Sequence, residues 1–520
     1  MSKMLKSSGA LAAATFTSRM LGLVREMVYA RFMGDGWVAG SFMFAFAIPN
    51  LFRRLLGEGA LTAAFIPIFK EKEKLEGEVP MWKAANAVIS ALLLGASLVI
   101  GLGILVVTII LEFGLVEAGK TILMLELLRV MFPYVLLVCL AAVFMGMLNS
   151  RGHFFVPAIG AGMLNVVMIV SVLWLAPLLG RTLEGQIFGL AIGVLVAGVV
   201  QAAFQLPLLH KEGFRYHWSR PFGNETVSRV VRQMLPAAIG VAAYQLNVVF
   251  TQGIAFWVDP QVIASFQYAV RLMELPQGVF GLSMATYLLP TLSGLATEKK
   301  FPEFRSTLAQ GLGYLIFINL LASVLLFVLA EPIIRLLFEH GIFKEESTAR
   351  AASALLMLAP GLLAFSVVNI LARAFYALGD TQTPMRISIF ALALNAVLTF
   401  AFVWHFRQAG LGLANTISAT INMTLLLYAL RKKLGKLELH DFVKYIPAMV
   451  GSAVLAGAAA WGTYHWWLTT FGHRNTMLRL GEAIIPMAAA AIVYFGLALW
   501  LKLPFVQDVL ALIPGRRRKG

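Results

Sequence analysis

Fourteen apolar runs, each long enough to cross a bilayer as a helix, leave this chain few folds to choose from. They lie near residues 9–33, 37–69, 84–111, 121–148, 156–178, 186–209, 233–257, 261–296, 307–330, 351–378, 385–404, 410–430, 445–468 and 481–501. A helix needs about 20 apolar residues to span the hydrocarbon. Inside it, only helices or closed barrels satisfy every backbone N–H and C=O. The runs are continuous rather than alternating, which excludes a β-barrel. Charged residues are 13% of the chain, against about 25% in soluble domains. Mean hydropathy is +0.81. The chain therefore reads as an all-α polytopic membrane protein. The second and eighth runs are too long for one straight crossing and contain Pro49 and Pro276, so each is expected to kink or break there.

Loop charge sets orientation. With the N-terminus in the cytoplasm, the basic stretches Lys70–Lys83, Lys211–Arg232, Lys299–Arg305, Arg431–Lys444 and Arg516–Lys519 all fall on the cytoplasmic side. Both termini are thus expected inside. The net charge of +16 follows from topology and attraction to anionic headgroups, not from nucleic-acid binding. Lys3 and Lys6 precede an apolar run, as in a signal peptide, but the arginines within it and the lack of a cleavage site argue that it stays attached. The single cysteine, Cys139, permits no intramolecular disulfide and suggests no metal cluster.

The chain repeats itself. Pro49 and Pro276, Pro133 and Pro360, Gly152 and Gly379, and Pro157 and Pro384 are each 227 residues apart. With small gaps, IPIF (66–69) matches LPTL (289–292) and FGLAIG (188–193) matches AGLGLA (409–414). The repeat unit is six helices. An even number gives both copies one orientation, with a pseudo-twofold axis along the membrane normal. Expected domains are an N-lobe over 1–220, a C-lobe over 221–435, and an extra helix pair with a basic tail over 436–520.

Charges inside the runs mark the candidate site. The first run carries SRMLGLVRE (18–26) near its middle. Each such charge costs roughly 2.5–3.5 kcal/mol on insertion scales, which a chain accepts when it faces a protein interior or a watery cavity. At helical spacing, Thr15, Ser18, Gly22 and Arg25 share one face, with Arg19 and Glu26 beside it. In the second run Arg53 and Arg54 follow Pro49 by one turn, and Arg54 and Glu58 are spaced to pair. In the eighth, Arg271 precedes Pro276. At offset 227, Arg19, Arg25 and Glu26 face Leu246, Gln252 and Gly253, so the fold itself does not demand these charges. Arginines converging from both lobes suit a multiply charged anion such as a diphosphate. Arg31 and Arg129 near helix ends read as snorkelling residues, with Arg373 similar. Asn247, Thr251, Asn395 and Asn422 read as helix-packing groups. No catalytic residues, metal ligands or cofactor site stand out.

The motifs SRMLGLVRE (18–26), IPNLFRRLLGEGALTAAFIPIF (48–69), RLMELPQGVFG (271–281) and RAFYALGDTQTPMRIS (373–388) resemble the MurJ/MviN family, the lipid II flippases of the MATE-like MOP exporter superfamily. The resemblance covers essentially the whole chain. It implies a bacterial inner-membrane flippase that moves undecaprenyl-diphosphate-linked disaccharide-pentapeptide to the outer leaflet by alternating access. It places substrate contacts at Ser18, Arg19, Arg25, Glu26, Arg53, Glu58 and Arg271 around a central cavity. It assigns the extra helix pair to a lipid-tail groove and implies no enzyme activity. The expected partners are lipid II and membrane lipids, with the chain a monomer and no nucleic acid bound. Many relatives carry an Asp where this chain has Gly40, so a role for that acid does not carry over.

Two other readings compete. A superfamily neighbour could export drugs or flip another polyprenyl-diphosphate saccharide. A cation exporter would need acidic rather than arginine-rich walls. An intramembrane transferase would need a carboxylate base and a metal, whereas the acids here have arginine neighbours.

Overall fold

The computed structural model describes residues 2–55, 61–435 and 443–506. Among them there are helices and short connections and no strand. Seven helices are long and apolar enough to cross a membrane, or nine if each of two bent pairs is one span. The chain forms two compact units, Met1–Ala264 and Ser265–Gly520.

The first unit contains α1 (Ser2–Met33), α2 (Trp37–Phe52), α3 (Leu61–Glu76), α4 (Glu78–Glu112), α5 (Gly119–Met131), α6 (Tyr134–Ser150), α7 (Phe155–Val170), α8 (Leu183–Ala203), α9 (Leu206–Lys211) and α10 (Glu225–Val258). The boundary between units falls within α11 (Pro260–Pro276). The second unit continues with α12 (Ser283–Thr297), α13 (Phe301–Val328), α14 (Ala330–Phe338), α15 (Glu345–Leu358) and α16 (Gly361–Ala377).

Gln382–Leu434 follows, 53 residues broken at Arg407 (φ 49°, ψ −126°) into α17 (382–406) and α18 (408–434). A straight helix of that length would measure about 80 Å. Instead, Lys433 Nζ lies 2.6 Å from Asp380 Oδ2, and Asn395 Nδ2 donates to Ser418 Oγ at 3.2 Å. Both pairs sum to the same register, so the segment is an antiparallel hairpin. Then come α19 (Ile446–Thr470) and α20 (Thr476–Trp500), packed on each other.

The repeat is visible in local geometry. Pro133 precedes α6 and Pro360 precedes α16. The α5–α6 pair bends by 42° there, and the α15–α16 pair by 47°. Missing proline N–H groups explain both bends. The ends of α6 and α16 match bond for bond. Gly152 (φ 87°) and Gly379 (φ 74°) take the left-handed position. His153 N–H donates to the Leu148 carbonyl and Asp380 N–H to the Phe375 carbonyl, at 2.9 and 3.0 Å. These are glycine-terminated helix caps at the 227-residue offset. Each unit also has a corresponding core. Phe69, Phe144, Met147 and Leu148 are buried in the first; Leu292, Leu371, Ala374 and Phe375 are buried at the matching positions of the second.

The eighth run breaks at its proline as expected, while the second passes through Pro49 and changes helical pitch only after Phe52. Pro49 lies inside α2, which passes into a π-helical turn at 53–55. Pro276 ends α11, and a π-helical turn, Gln277–Leu282, follows. The α10 helix packs on α2, α3 and α4. Its last carbonyls, Phe256 and Trp257, accept from Lys120 Nζ at 3.0 and 3.1 Å, a cation at the negative end of a helix. Beside it, a Cβ on Gly40 would lie 2.2 Å from the Pro260 carbonyl oxygen. Position 40 is a backbone contact with room for glycine alone.

Candidate functional site

Arg25 sits well inside α1, where its charge has little solvent: its side chain is 11% exposed and that of Glu26 8%. The guanidinium pairs with the Glu26 carboxylate through Nη2 and Oε1. It also lies over the Tyr29 ring, 5.3 Å from the centroid, a cation–π contact. Tyr29 meets Phe42 of α2 edge-on at 6.1 Å, Phe42 stacks on Phe46, and Phe46 reaches Tyr134 of α6. An aromatic column thus fixes where Arg25 stands. Buried charge is tolerable only when paired in this way.

Ser18, seven residues before Arg25, shares its face. Its carbonyl accepts from Asn165 Nδ2 of α7 at 3.2 Å, so its backbone helps dock α1 on α7. Arg19 is half-buried beside it. Arg53 opens the π-helical turn after α2, and its Nε donates to Asn50 Oδ1 at 2.8 Å. π-turns within helices often mark functional positions. Glu58, and with it the expected Arg54–Glu58 pair, lies outside the described residues.

In the second unit, Arg271 Nη1 donates to Glu274 Oε2 at 2.8 Å, with side chains 34% and 42% exposed. Glu26, Tyr29, Asn50 and Glu274 each lie within four positions of the arginine they touch. The structure adds Tyr29, Asn50 and Glu274 to the expected set. Glu274 was readable in the sequence as an i,i+3 partner; Tyr29 and Asn50 needed coordinates. Among the packing groups, Thr251 Oγ1 bonds back to the Asn247 carbonyl at 2.9 Å, and Arg373 stacks on Tyr376 at 5.9 Å. Among the described residues, no group of three or more His, Cys, Asp or Glu could hold a metal ion.

The fold is that of a transporter class. A MATE-family multidrug transporter of the MOP superfamily, solved in an inward-facing conformation, superposes with a TM-score of 0.66 at 15% identity, covering 82% of this chain and 99% of that one. A solved structure described as "Lipid II flippase MurJ, inward closed conformation" superposes with a TM-score of 0.78 at 23% identity, covering 96% of this chain and 99% of that one. The family model "Lipid II flippase MurJ" matches residues 29–480. A Vibrio cholerae protein named "Probable lipid II flippase MurJ" is 33% identical, covering 98% of this chain and 97% of the relative. The "Lipid II flippase MurJ" of Burkholderia cenocepacia is 31% identical, over 94% of this chain and 95% of the relative. The chain belongs to the MurJ family of lipid II flippases. It is a multi-pass transporter of the peptidoglycan precursor, not an enzyme.

Proposed function

We propose that the cargo's diphosphate is taken up by Arg19, Arg25 and Arg53 of the first unit and Arg271 of the second, with Ser18, Glu26 and Glu58 contributing to the same site. A diphosphate cannot enter hydrocarbon unpaired. Guanidiniums replace its hydration shell with bidentate, charge-assisted bonds. The observation that carries this reading is Arg25: a nearly buried guanidinium braced by an aromatic ring inside an apolar helix.

The same reading has fourteen spans, with lobes at 1–220 and 221–435 related by a pseudo-twofold axis along the normal. The pair over 436–520 accommodates the lipid tail, both termini lie in the cytoplasm, and the chain acts as a monomer. Cargo moves from the cytoplasmic to the outer leaflet as the lobes rock. The bends at Pro133 and Pro360 and the π-turns after Pro49 and Pro276 give the helices places to flex.

The test is complementation of a flippase-depleted strain, read by leaflet-resolved labelling of lipid II. Arg19→Ala, Arg25→Ala and Arg271→Ala are each expected to abolish outer-leaflet labelling while the protein still inserts. Full complementation by all three would overturn the assignment.

A further inference from the structure

The connection from α9 to α10 takes no part in the arginine site, yet it is held in place along its length. It reads KEGFRYHWSRPFG over 211–223. Phe214 is 1% exposed and packs against Trp82 and Phe144, with ring centroids 5.6 and 6.2 Å away. Asn86 Nδ2 donates to the Arg215 carbonyl at 3.0 Å. The Tyr216 and Ser90 hydroxyls are 3.2 Å apart, and the Ser219 N–H donates to Ser90 Oγ at 3.2 Å. The segment 214–219 therefore lies along α4 between Asn86 and Ser90.

That is a defined depth. One turn beyond Ser90, the outward apolar face of α4 begins at Leu94 and continues through Leu98, Leu102, Leu105 and Ile109 to Phe113, all exposed. From 94 to 113 a helix rises about 29 Å, the thickness of the hydrocarbon layer. The segment sits just outside it, at the level of the headgroups.

What it presents there is chemically specific. Tyr216, Trp218 and Phe222 are exposed by 43%, 59% and 75%. Between and beside them stand Arg215, Arg220, Lys211 and Lys83, all exposed. The one acid in the connection, Glu212, is occupied by Arg151 and His153 at 2.8 Å each. The geometry points to a docking segment for acidic phospholipid headgroups, centred on Trp218 and Arg220 and flanked by Lys83 and Lys211. Aromatic rings favour the interface, and each cation gains from a negatively charged leaflet. The match of charge, ring placement and depth selects a lipid surface over a soluble partner.

The test uses full-length protein in nanodiscs of phosphatidylcholine with or without phosphatidylglycerol. Neutralising Lys83, Lys211 and Arg220 to Gln is expected to weaken phosphatidylglycerol retention, read by native mass spectrometry. The loss should be about fivefold per cation, roughly a hundredfold for three. The same count of retained lipid in wild type and triple variant overturns the proposal. So does an equal per-site loss from Arg181→Gln, which lies outside the segment. A second readout does not depend on affinity. Cys139 is fully buried, so Trp218→Cys offers one accessible thiol for a fluorescent label. Quenching by headgroup-level nitroxide lipids supports the assignment; quenching only by aqueous iodide refutes it. Arg271→Ala should leave both readouts unchanged, which separates this surface from the arginine site.

Discussion

Arg335 is 2% exposed and Glu482 not at all, and Arg335 Nη1 lies 2.5 Å from Glu482 Oε1. Glu331 pairs with the same guanidinium. Arg479 reaches Glu339 at 3.0 Å, and Thr348 donates to Glu339 at 2.7 Å. The network joins α14, α15 and α20. Removing one member of a buried pair strands the other, at a cost of about 3–5 kcal/mol, while replacing both with apolar residues is often neutral. Glu482→Ala should therefore lower the thermal unfolding temperature of the purified protein markedly, and Arg335→Met with Glu482→Leu should restore most of it. A loss that simply adds in the double variant would show that the two do not act as a pair. The Glu331–Arg335 pair was legible as an i,i+4 spacing, but the contact of Arg335 with Glu482 was not. Arg335 falls between two apolar runs and Glu482 is the second residue of the last one, so their contact depends on tertiary packing. Arg25 and Glu26 were legible, because charge inside an apolar run needs a reason wherever it occurs. Glu274, three residues after Arg271, was equally legible as its i,i+3 partner.

At the scale of elements, the α17–α18 hairpin and the duplicated helix ends carry the strongest expectations. Hydrogen bonding from Lys433, then from the Thr383 backbone N–H, holds the Asp380 carboxyl down to about 2. A depressed carboxylate stabilises the fold above its unfolded value, near 3.9, and that stability fades as pH falls through the folded one. The difference in unfolding temperature between wild type and Asp380→Asn should thus be constant above about pH 5 and shrink steadily between about 4 and 2. A gap that widens on acidification would contradict the assignment. Gly152→Ala and Gly379→Ala should each cost about 1 kcal/mol for the left-handed backbone. They should cost nearly the same, because the two caps share their hydrogen bonds. The spacing of Pro and Gly revealed this repeat before any coordinates, since such residues mark backbone events that side-chain drift does not erase. The break at Arg407 was marked less directly. Arg407 is neither proline nor glycine; the gap between apolar runs pointed to the break, with Gly410 three residues on, against the Phe402 carbonyl.

For the whole molecule, the decisive quantity is how many times the chain crosses the membrane. Among the described residues, seven to nine helical segments meet the length and hydropathy of a span, but the 53 residues of Gln382–Leu434 fold back on themselves. Both ends of that segment then lie on one side and His405 on the other. Fourteen alternating crossings with the N-terminus inside place Leu75 in the cytoplasm, and Leu115, Ile342 and His405 outside. These four positions are exposed, and the one natural thiol is buried. In intact cells, a membrane-impermeant maleimide should label Leu115→Cys, Ile342→Cys and His405→Cys, and should label Leu75→Cys only after permeabilisation. Protection of position 405 together with labelling at 342 would mean that α17 and α18 do not make separate crossings. In that event the even count within each repeat fails, and with it the proposed pseudo-twofold axis along the membrane normal.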